Sequence, residues 1–262
     1  MSTLTSTDYS NDFDVNWYIN SYYSAVSGCH EEGDFLTFVL MALHDIFKAG
    51  NVHGKTLLDI GTGPTIHTVI SACPYVQNII LSDYSQVNRD ALGDWKEDKL
   101  QTGSALCQFV LDIEGGKIHK TVPERFEEIR QKIREILPVD VNKWPPIQLG
   151  NDCPDIIVSS LCFEAACLEV QDYKKIVQNV GRLMTPGCHL VVIGVLDQTF
   201  YRVGNFRFSC LKISESDLKA VYATNGFDIK SWKEYIPPPR NAEEAEFSDF
   251  QKAFVMHAVK VK

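Results

Sequence analysis

The fold is decided by residues 56–65, which read TLLDIGTGPT. The first five of these residues form an apolar run with an embedded acid, a pattern typical of a short buried strand. Gly61 and Gly63 then supply a tight turn, and a helix is predicted from Thr65 onward. Because glycine has no Cβ, backbone N–H groups in such a turn are open to an extended polar ligand at the carboxyl end of the strand. We therefore interpret the turn as a cofactor-binding loop.

The surroundings of this loop indicate which cofactor it binds. A dinucleotide fingerprint has a third glycine where this chain has Ile66, and Pro64 already opens the helix, so a pyrophosphate is not expected. Asp83 follows the apolar run 79–82, at the spacing that doubly wound folds use to hold a ribose. The expected ligand has a ribose and no pyrophosphate, and its amino-acid tail lies on a glycine turn. S-adenosylmethionine fits this description. Either feature alone has a simpler explanation, a loop or a helix cap, but the two occur in order and correctly spaced.

The bulk composition limits the class of protein and of partner. The chain has 262 residues, 45% hydrophobic and 11% aromatic, enough for one large domain over residues 1–262 with a full core. A formal net charge of -9 argues against nucleic-acid or anionic-membrane partners and favours a neutral or cationic small substrate. No apolar run approaches the roughly 20 residues that span a bilayer, and the polar N-terminus has no signal-peptide core. We expect a soluble, cytoplasmic monomer.

The eight cysteines are scattered, without a C-x-x-C pair or a histidine at ligand spacing. We interpret them as buried apolar residues of a reduced protein, and we expect no metal site. They are Cys29, Cys73, Cys107, Cys153, Cys162, Cys167, Cys188 and Cys210.

Hydrophobic periodicity outside the loop predicts alternating strands and helices. Helices are predicted at residues 31–48, 65–72, 86–99, 123–137, 173–183 and 218–224. Strands are predicted at residues 56–60, 79–83, 105–111, 155–161, 189–195, 227–235 and 253–261. This order gives an α/β fold, a Rossmann-like, doubly wound, seven-stranded sheet that is mostly parallel with an antiparallel terminal hairpin. Ligands lie at the carboxyl ends of such strands, so Ser160, Leu161 and Glu164 should face the site.

The N-terminal segment 9–23 is rich in aromatic residues. Trp17, Tyr18 and Tyr22 have helical spacing, which is typical of a helix face packed on a core. The same rings can stabilise a sulfonium cation, and a helix ahead of the domain can close over a cofactor as a lid. Both interpretations stay open, with residues 1–50 expected to form the N-terminal lid and helix and residues 51–262 the core.

Several motifs together make the chain recognisable. They are residues 18–23, 59–65, 82–85 with Asn88, 140–141, 160–167 and 201–204. Jointly they resemble, along nearly the whole chain, the small family of nicotinamide, phenylethanolamine and indolethylamine N-methyltransferases. The resemblance implies an S-adenosylmethionine-dependent enzyme, with S-adenosylhomocysteine as product, that methylates a small-molecule amine.

The resemblance also implies the residues of the cofactor site. Tyr18 and Tyr23 are expected to close over the methionine part, with the glycine loop beneath it. Asp83 is expected to hold the ribose, and Asp140 and Val141 are expected to flank the adenine. The residue pattern alone predicts only a loop at residues 140–141. The full expected set is Tyr9, Tyr18, Tyr23, Gly61, Gly63, Thr65, Asp83, Asn88, Asp140, Val141 and Ser160.

The chemistry of the acceptor points to acidic residues. Methyl transfer needs the lone pair of a neutral nitrogen, whereas an amine arrives mostly as an ammonium. A carboxylate attracts that cation and takes its proton. Glu164 and Asp197 follow strand ends and match positions where amine-methylating members of the family carry acids, so we predict both as catalytic; the alternatives are a helix N-cap and a solvated loop charge. The expected substrate-binding set is Tyr18, Leu161, Glu164, Asp197, Tyr201 and, more weakly, Asp249.

Two departures from the family pattern bear on the acceptor. Gly194 and Cys210 align where the nicotinamide enzyme has an aspartate and a serine, which favours an arylalkylamine over nicotinamide or another pyridine. Phe163, Phe200, Tyr201 and Phe206 are expected either to wall a pocket for a flat amine or to be ordinary core. Two other classes stay open: a non-catalytic relative that only binds adenosylmethionine, and a protein or RNA methyltransferase, which the charge disfavours.

Overall fold

The structure, a computed structural model, describes residues 3–5, 8, 13–24, 26, 31–115, 120–150 and 153–262. The strands are β1 Thr3–Leu4, β2 Gly54–Ile60, β3 Val76–Asp83, β4 Ile133–Pro138, β5 Ile156–Ser160, β6 His189–Leu196, β7 Phe200–Val203, β8 Phe206–Ser209, β9 Phe227–Tyr235 and β10 Lys252–Lys260. The α-helices are α1 Val15–Tyr22, α2 Glu31–Lys48, α3 His67–Ile70, α4 Gln86–Lys96, α5 Ser104–Glu114, α6 Val122–Lys132, α7 Val170–Arg182 and α8 Glu215–Thr224.

The main sheet has seven strands in the order β4-β3-β2-β5-β6-β10-β9. Strands β2 to β6 pair with one another in parallel, and β10 runs antiparallel to both β6 and β9. The predicted α/β class and the antiparallel terminal hairpin are therefore confirmed. The chain leaves β2 toward β3 on one side and adds β5 on the other, so the sheet has its topological switch point between β2 and β5.

The core lies on both faces of this sheet because successive strand residues point to opposite sides. Leu57 packs in one cluster with Leu40 and Phe47 of α2, whereas its neighbour Leu58 packs in a second cluster with Tyr173 of α7. All five side chains are almost fully buried. Burial of each such side chain contributes about 1.5–3 kcal/mol to the free energy of unfolding. The switch point therefore lies in the well-packed centre of the molecule.

Two predicted elements are wrong. Residues 105–111, predicted as a strand, lie within helix α5, where Leu106 and Val110 are buried one helical turn apart. The helix predicted at 123–137 ends at Lys132, and the chain continues directly into the edge strand β4, which pairs with β3. The seven-strand total survives because β4 takes the place of the strand wrongly expected at 105–111.

The N-terminal helix α1 packs on a small second sheet that the sequence did not predict. This sheet has the order β1-β8-β7. The Tyr22 hydroxyl donates to the carbonyl of Arg202 at 2.8 Å, and the Trp17 ring stacks on Phe247 at 5.7 Å. Helix α1 is thus tied to the β7–β8 hairpin, and its role as a lid stays a prediction.

Most of the described cysteines are buried free thiols. Cys73, Cys107, Cys167, Cys188 and Cys210 are buried, as expected from their apolar surroundings. The expectation fails for two: Cys153 is exposed and Cys162 is half-buried, while Cys29 lies outside the described residues.

Within the described residues, none of the helices is both long and apolar enough to cross a membrane.

Candidate active site

Two adjoining cavities open at the carboxyl ends of the central strands. The first, which we call the cleft, has a volume of about 360 Å³ and extends from the glycine loop to residues 139–143. The second, the inner pocket, has about 80 Å³ and lies between α1, α2 and the ends of β5 and β6. The cavities share part of their walls, formed by Tyr18, Tyr23, His67, Ser160, Leu161, Ala165 and Tyr201. Two ligands, one bound in each cavity, would therefore lie next to each other.

The glycine loop has the geometry that its sequence predicts. Gly61 and Gly63 have φ of 73° and 67°, in the left-handed region. A Cβ on Gly61 would lie 2.3 Å from the Sγ of Cys162, so this position accepts no side chain. At Gly63 a Cβ would meet nothing within 4 Å, and this residue faces the cleft. The first glycine is thus required for packing between β2 and β5, and the second leaves open the floor of the cleft.

Replacing Gly61 with alanine should lower the free energy of unfolding by about 3 kcal/mol, from the left-handed backbone and the overlap with Cys162. The matched control is Gly50→Ala, because Gly50 has a similar φ of 79° but open space around its Cβ. We expect the control to lose only about 1 kcal/mol. Urea unfolding measures both, and equal losses would show that the contact with Cys162 has no energetic weight.

Asp83 lies at the end of β3 and is held by three donors. The N–H of Gly63 donates to Oδ2 at 2.8 Å, while the N–H of Ser85 and the amide of Asn88 donate to Oδ1 at 2.8 and 3.1 Å. Burial raises the pKa of this carboxyl, and the three hydrogen bonds oppose the rise. Ser85 precedes α4, as predicted for an N-cap, but its hydroxyl makes no capping bond. The position, burial and fixed orientation of Asp83 suit a carboxylate that accepts ribose hydroxyls.

Most of the expected cofactor residues line the cleft. These are Tyr18, Tyr23, Gly61, Gly63, Asp83, Asn88, Asp140, Val141 and Ser160. Thr65 lies behind the wall and forms a 2.8 Å hydrogen bond with Nδ1 of His67. Tyr9 lies outside the described residues. The cleft thus brings together the residues expected to hold the methionine part, the ribose and the adenine of adenosylmethionine. The role of each residue stays a prediction.

His67 lines both cavities, although the sequence pattern did not predict it as a site residue. Its Nε2 lies 3.2 Å from Oγ of Ser160, and its ring packs on Tyr23 at 4.8 Å. Burial lowers its pKa to about 3, so the imidazole is neutral at physiological pH. A neutral ring is compatible with a cationic ligand beside it. The available signal was its place two residues after Thr65, at the start of the helix that follows the glycine loop.

Glu164 is the acidic residue of the inner pocket. It is 2% exposed, and its Oε1 accepts the N–H of Val195 at 3.0 Å. Burial raises its pKa to about 7. It does not cap a helix, because α7 begins only at Val170. A Cβ on Gly194 would lie 3.0 Å from Oε1 and 2.6 Å from the Phe254 ring, so glycine at this position leaves the space that the carboxyl occupies.

Asp197 and Asp249 lie outside the residues that line the two cavities. Asp197 directly follows β6 and is half-buried, with φ of 55°. Asp249 accepts the N–H groups of Thr199 and Phe200 at 2.8 and 3.2 Å and also the Thr199 hydroxyl, so its carboxylate ties two loops together. The expected acids are therefore not gathered at one point, and only Glu164 reaches the inner pocket. Leu161, Tyr18 and Tyr201 do line that pocket.

Comparison with known proteins settles the family. A sequence profile of the NNMT/PNMT/TEMT family matches residues 2–261. The chain belongs to this family. It is 34% identical to nicotinamide N-methyltransferase of Homo sapiens, over 90% of this chain and 89% of that protein. It is also 33% identical to indolethylamine N-methyltransferase of Oryctolagus cuniculus, over 91% and 90%. Membership in the NNMT/PNMT/TEMT family confirms the predicted family, enzyme class and methyl donor.

Solved structures agree on the fold. Magnesium protoporphyrin IX methyltransferase from Synechocystis, with bound SAH, superposes with a TM-score of 0.57 over 97% of this chain and 96% of that one, at 13% identity. An N-methyltransferase from Bradyrhizobium japonicum in complex with S-adenosyl-L-homocysteine gives a TM-score of 0.53 over 98% and 97%, at 12% identity. At such low identity these likenesses concern the arrangement of strands and helices alone.

Proposed function

We propose that this protein transfers the methyl group of S-adenosylmethionine to the nitrogen of a small arylalkylamine. The observation that carries the acceptor assignment is the buried carboxyl of Glu164, which lines the inner pocket next to the cleft. An amine arrives as a cation that must lose a proton, and a buried carboxyl is suited to both attract it and deprotonate it.

The cleft supplies the residues that would hold the donor. Asp83 would accept the ribose hydroxyls, and the N–H groups of the glycine loop would face the amino-acid part. The ring of Tyr18 lines both cavities, where its negative face would favour a sulfonium cation. When bound, S-adenosylmethionine supplies a methyl group activated by the positive sulfur. The protein's own contribution is alignment and exclusion of water.

The inner pocket supplies the residues that would hold the acceptor. Phe35, Leu36, Val39 and Phe250 give it apolar walls that suit an aromatic ring. Glu164 would hold the ammonium and remove its proton, and the neutral nitrogen would then present its lone pair toward the cleft. Since the pKa of Glu164 is about 7, the carboxyl is ionised often enough near neutral pH to act as a base.

A panel of acceptors tests this proposal. Purified protein would be assayed with labelled S-adenosylmethionine and 2-phenylethylamine, tryptamine, nicotinamide and pyridine. We expect methylation of at least one arylalkylamine at a higher kcat/KM than either pyridine. Turnover of nicotinamide alone would support the alternative acceptor, while cofactor binding without any turnover would support a non-catalytic relative.

Asp197 remains a candidate for the acceptor side. Its carboxylate does not line the inner pocket, so it would act on the incoming cation through space rather than by contact. We expect Asp197→Ala to lower kcat/KM for an amine several-fold and to leave the affinity for S-adenosylhomocysteine unchanged. Enzyme kinetics together with calorimetry would separate the two effects. Equal loss of turnover and cofactor binding would refute the role.

Other parts of the proposal rest on composition. The net charge of -9 supports a small-molecule partner rather than nucleic acid or an anionic membrane. A cytoplasmic monomer built as one domain over residues 1–262 stays a prediction. Size-exclusion chromatography with light scattering would test the oligomeric state.

A further inference from the structure

A further cavity, which we call the far pocket, lies at the opposite end of the main sheet from the cleft. It has a volume of about 460 Å³ and is lined by the ends of α7, α8 and β10. Val259 of β10 pairs with His189 at the start of β6, whereas the cleft and the inner pocket lie where β5 and β6 end. The far pocket is therefore separate from the site proposed for methyl transfer.

The lining of the far pocket is positively charged, although the chain as a whole is acidic. Arg182, Lys260 and Lys262 line it, and none of the described lining residues is an aspartate or a glutamate. The formal net charge of the chain is -9, so this concentration of cations is not an average property of its surface. On the neighbouring strand β9, the carboxylate of Asp228 is paired with Lys230 at 2.5 Å. The far pocket therefore attracts anions.

Two glycines bring the three cations together. A Cβ on Gly181 would lie 3.1 Å from Nζ of Lys260, and Gly181 immediately precedes Arg182. A Cβ on Gly226 would lie 3.5 Å from the same Nζ and 3.1 Å from the Cβ of Lys262. The ammonium of Lys260 thus lies against the segment that carries Arg182 and also against the segment that packs on Lys262. Like charges held this close repel one another, and a bound anion would relieve that repulsion.

The C-terminal ends of α7 and α8 account for only part of this positive charge. A helix C-terminus carries about -0.5 charge, so the two ends together supply about -1. The Nζ of Lys260 donates to the carbonyl of Asn225 at 2.9 Å, which uses one of its three N–H groups. The side chain of Arg182 makes no hydrogen bond or ion pair with a residue that the structure describes. Its guanidinium lies over the Trp144 ring, 5.1 Å from the centroid, with its N–H donors available to a ligand.

The donors and the size of the far pocket suit a phosphate-bearing ligand. The planar fork of an arginine binds two phosphate oxygens at once, and a lysine binds phosphate as a point charge. Gln178 and Thr224 add uncharged polar groups to the lining. A volume of about 460 Å³ lies within the range of small-molecule sites, so it has room for more than one phosphate group.

We propose that the far pocket binds a small soluble anion with at least two phosphate groups, held by Arg182, Lys260 and Lys262. This is a second ligand site, distinct from those of the methyl donor and the acceptor. The net charge of -9 opposes approach to nucleic acid or to an anionic membrane, which leaves a freely diffusing molecule as the ligand. The methyltransferase proposal and this one stand or fall separately.

Calorimetry with inorganic pyrophosphate, at an ionic strength fixed with NaCl, tests the proposal. We expect saturable binding that persists when S-adenosylhomocysteine fills the cleft. Arg182→Gln and Lys260→Gln should each weaken pyrophosphate binding about tenfold. The matched control is Lys175→Gln, which removes an exposed positive charge from the same helix outside the pocket and should bind as wild type does. Thermal melts confirm that each variant is folded.

Fluorescence of Trp144 provides a second readout that reports where the anion binds. Because the Arg182 guanidinium lies over this ring, an anion that engages Arg182 should change the emission. Trp144→Phe should lose this signal and keep the calorimetric binding.

Several outcomes would overturn the proposal. They are absence of saturable pyrophosphate binding, displacement of pyrophosphate by S-adenosylhomocysteine, and equal weakening in Arg182→Gln and Lys175→Gln. A fluorescence change that persists in Trp144→Phe would place the anion elsewhere. Binding to vesicles that contain phosphatidylinositol bisphosphate, without binding of pyrophosphate, would rule out a soluble ligand.

Discussion

Replacing Glu164 with glutamine is expected to lower kcat/KM for an amine at least about 100-fold, with no change in the affinity for S-adenosylhomocysteine. Glutamine keeps the size of the side chain and still offers an oxygen to the N–H of Val195, but it neither attracts the ammonium nor removes its proton. Steady-state kinetics gives the first quantity and calorimetry the second. The matched control is Glu169→Gln, which removes an exposed carboxylate of the neighbouring loop and should leave both unchanged.

The raised pKa of Glu164 also predicts the direction in which kcat/KM changes with pH. The carboxyl acts as a base only when ionised, and its pKa is raised to about 7 by burial. Wild-type kcat/KM should therefore rise as the pH increases through about 7, and Glu164→Gln should lack that inflection. An inflection that persists in the variant would assign it to the amine instead. Full activity in the variant would rule out Glu164 as the base.

Replacing Asp83 with alanine is expected to weaken S-adenosylhomocysteine binding by about 10- to 100-fold. Hydrogen bonds between a carboxylate and ribose hydroxyls would be lost, and the N–H groups of Gly63 and Ser85 would lose their acceptor. The second effect loosens the glycine loop itself. Calorimetry with S-adenosylhomocysteine measures the affinity directly.

The control for Asp83→Ala has to remove the same charge elsewhere. Asp90 is exposed on α4 and bonds only to Gln86 of the same helix among the described residues. Asp90→Ala should leave cofactor affinity unchanged. Undiminished affinity in Asp83→Ala would refute the ribose assignment, provided that thermal melts show both variants to be folded.

The sequence predicted correctly the features that depend only on a short stretch of neighbouring residues. The glycine loop needed only the strand before it and the conformations that glycine permits, and Asp83 followed from its distance along the chain. By contrast, the edge strand β4 follows helix α6 without an intervening loop, and its apolar residues Ile133, Ile136 and Leu137 continue the helical spacing. Only pairing with β3 distinguishes the two, and pairing is a long-range property.

The acceptor side was less predictable because it depends on where side chains point. Glu164, Asp197 and Asp249 all follow or precede strand ends, and their sequence context is similar. The structure buries Glu164 in the inner pocket, leaves Asp197 outside the residues that line it, and uses Asp249 to tie two loops together. The only sequence signal for His67 is its place just after the glycine loop, and its burial beside both cavities is what identifies it.

The shared wall between the cleft and the inner pocket makes donor and acceptor binding thermodynamically linked. A ligand that immobilises Tyr18, Tyr23 and Leu161 from one side has already met part of the entropic cost for a ligand on the other side. Reciprocity then requires that each ligand raise the affinity for its partner by the same factor. The ternary complex should therefore be more rigid than either binary one, and each ligand should dissociate more slowly when the other is bound.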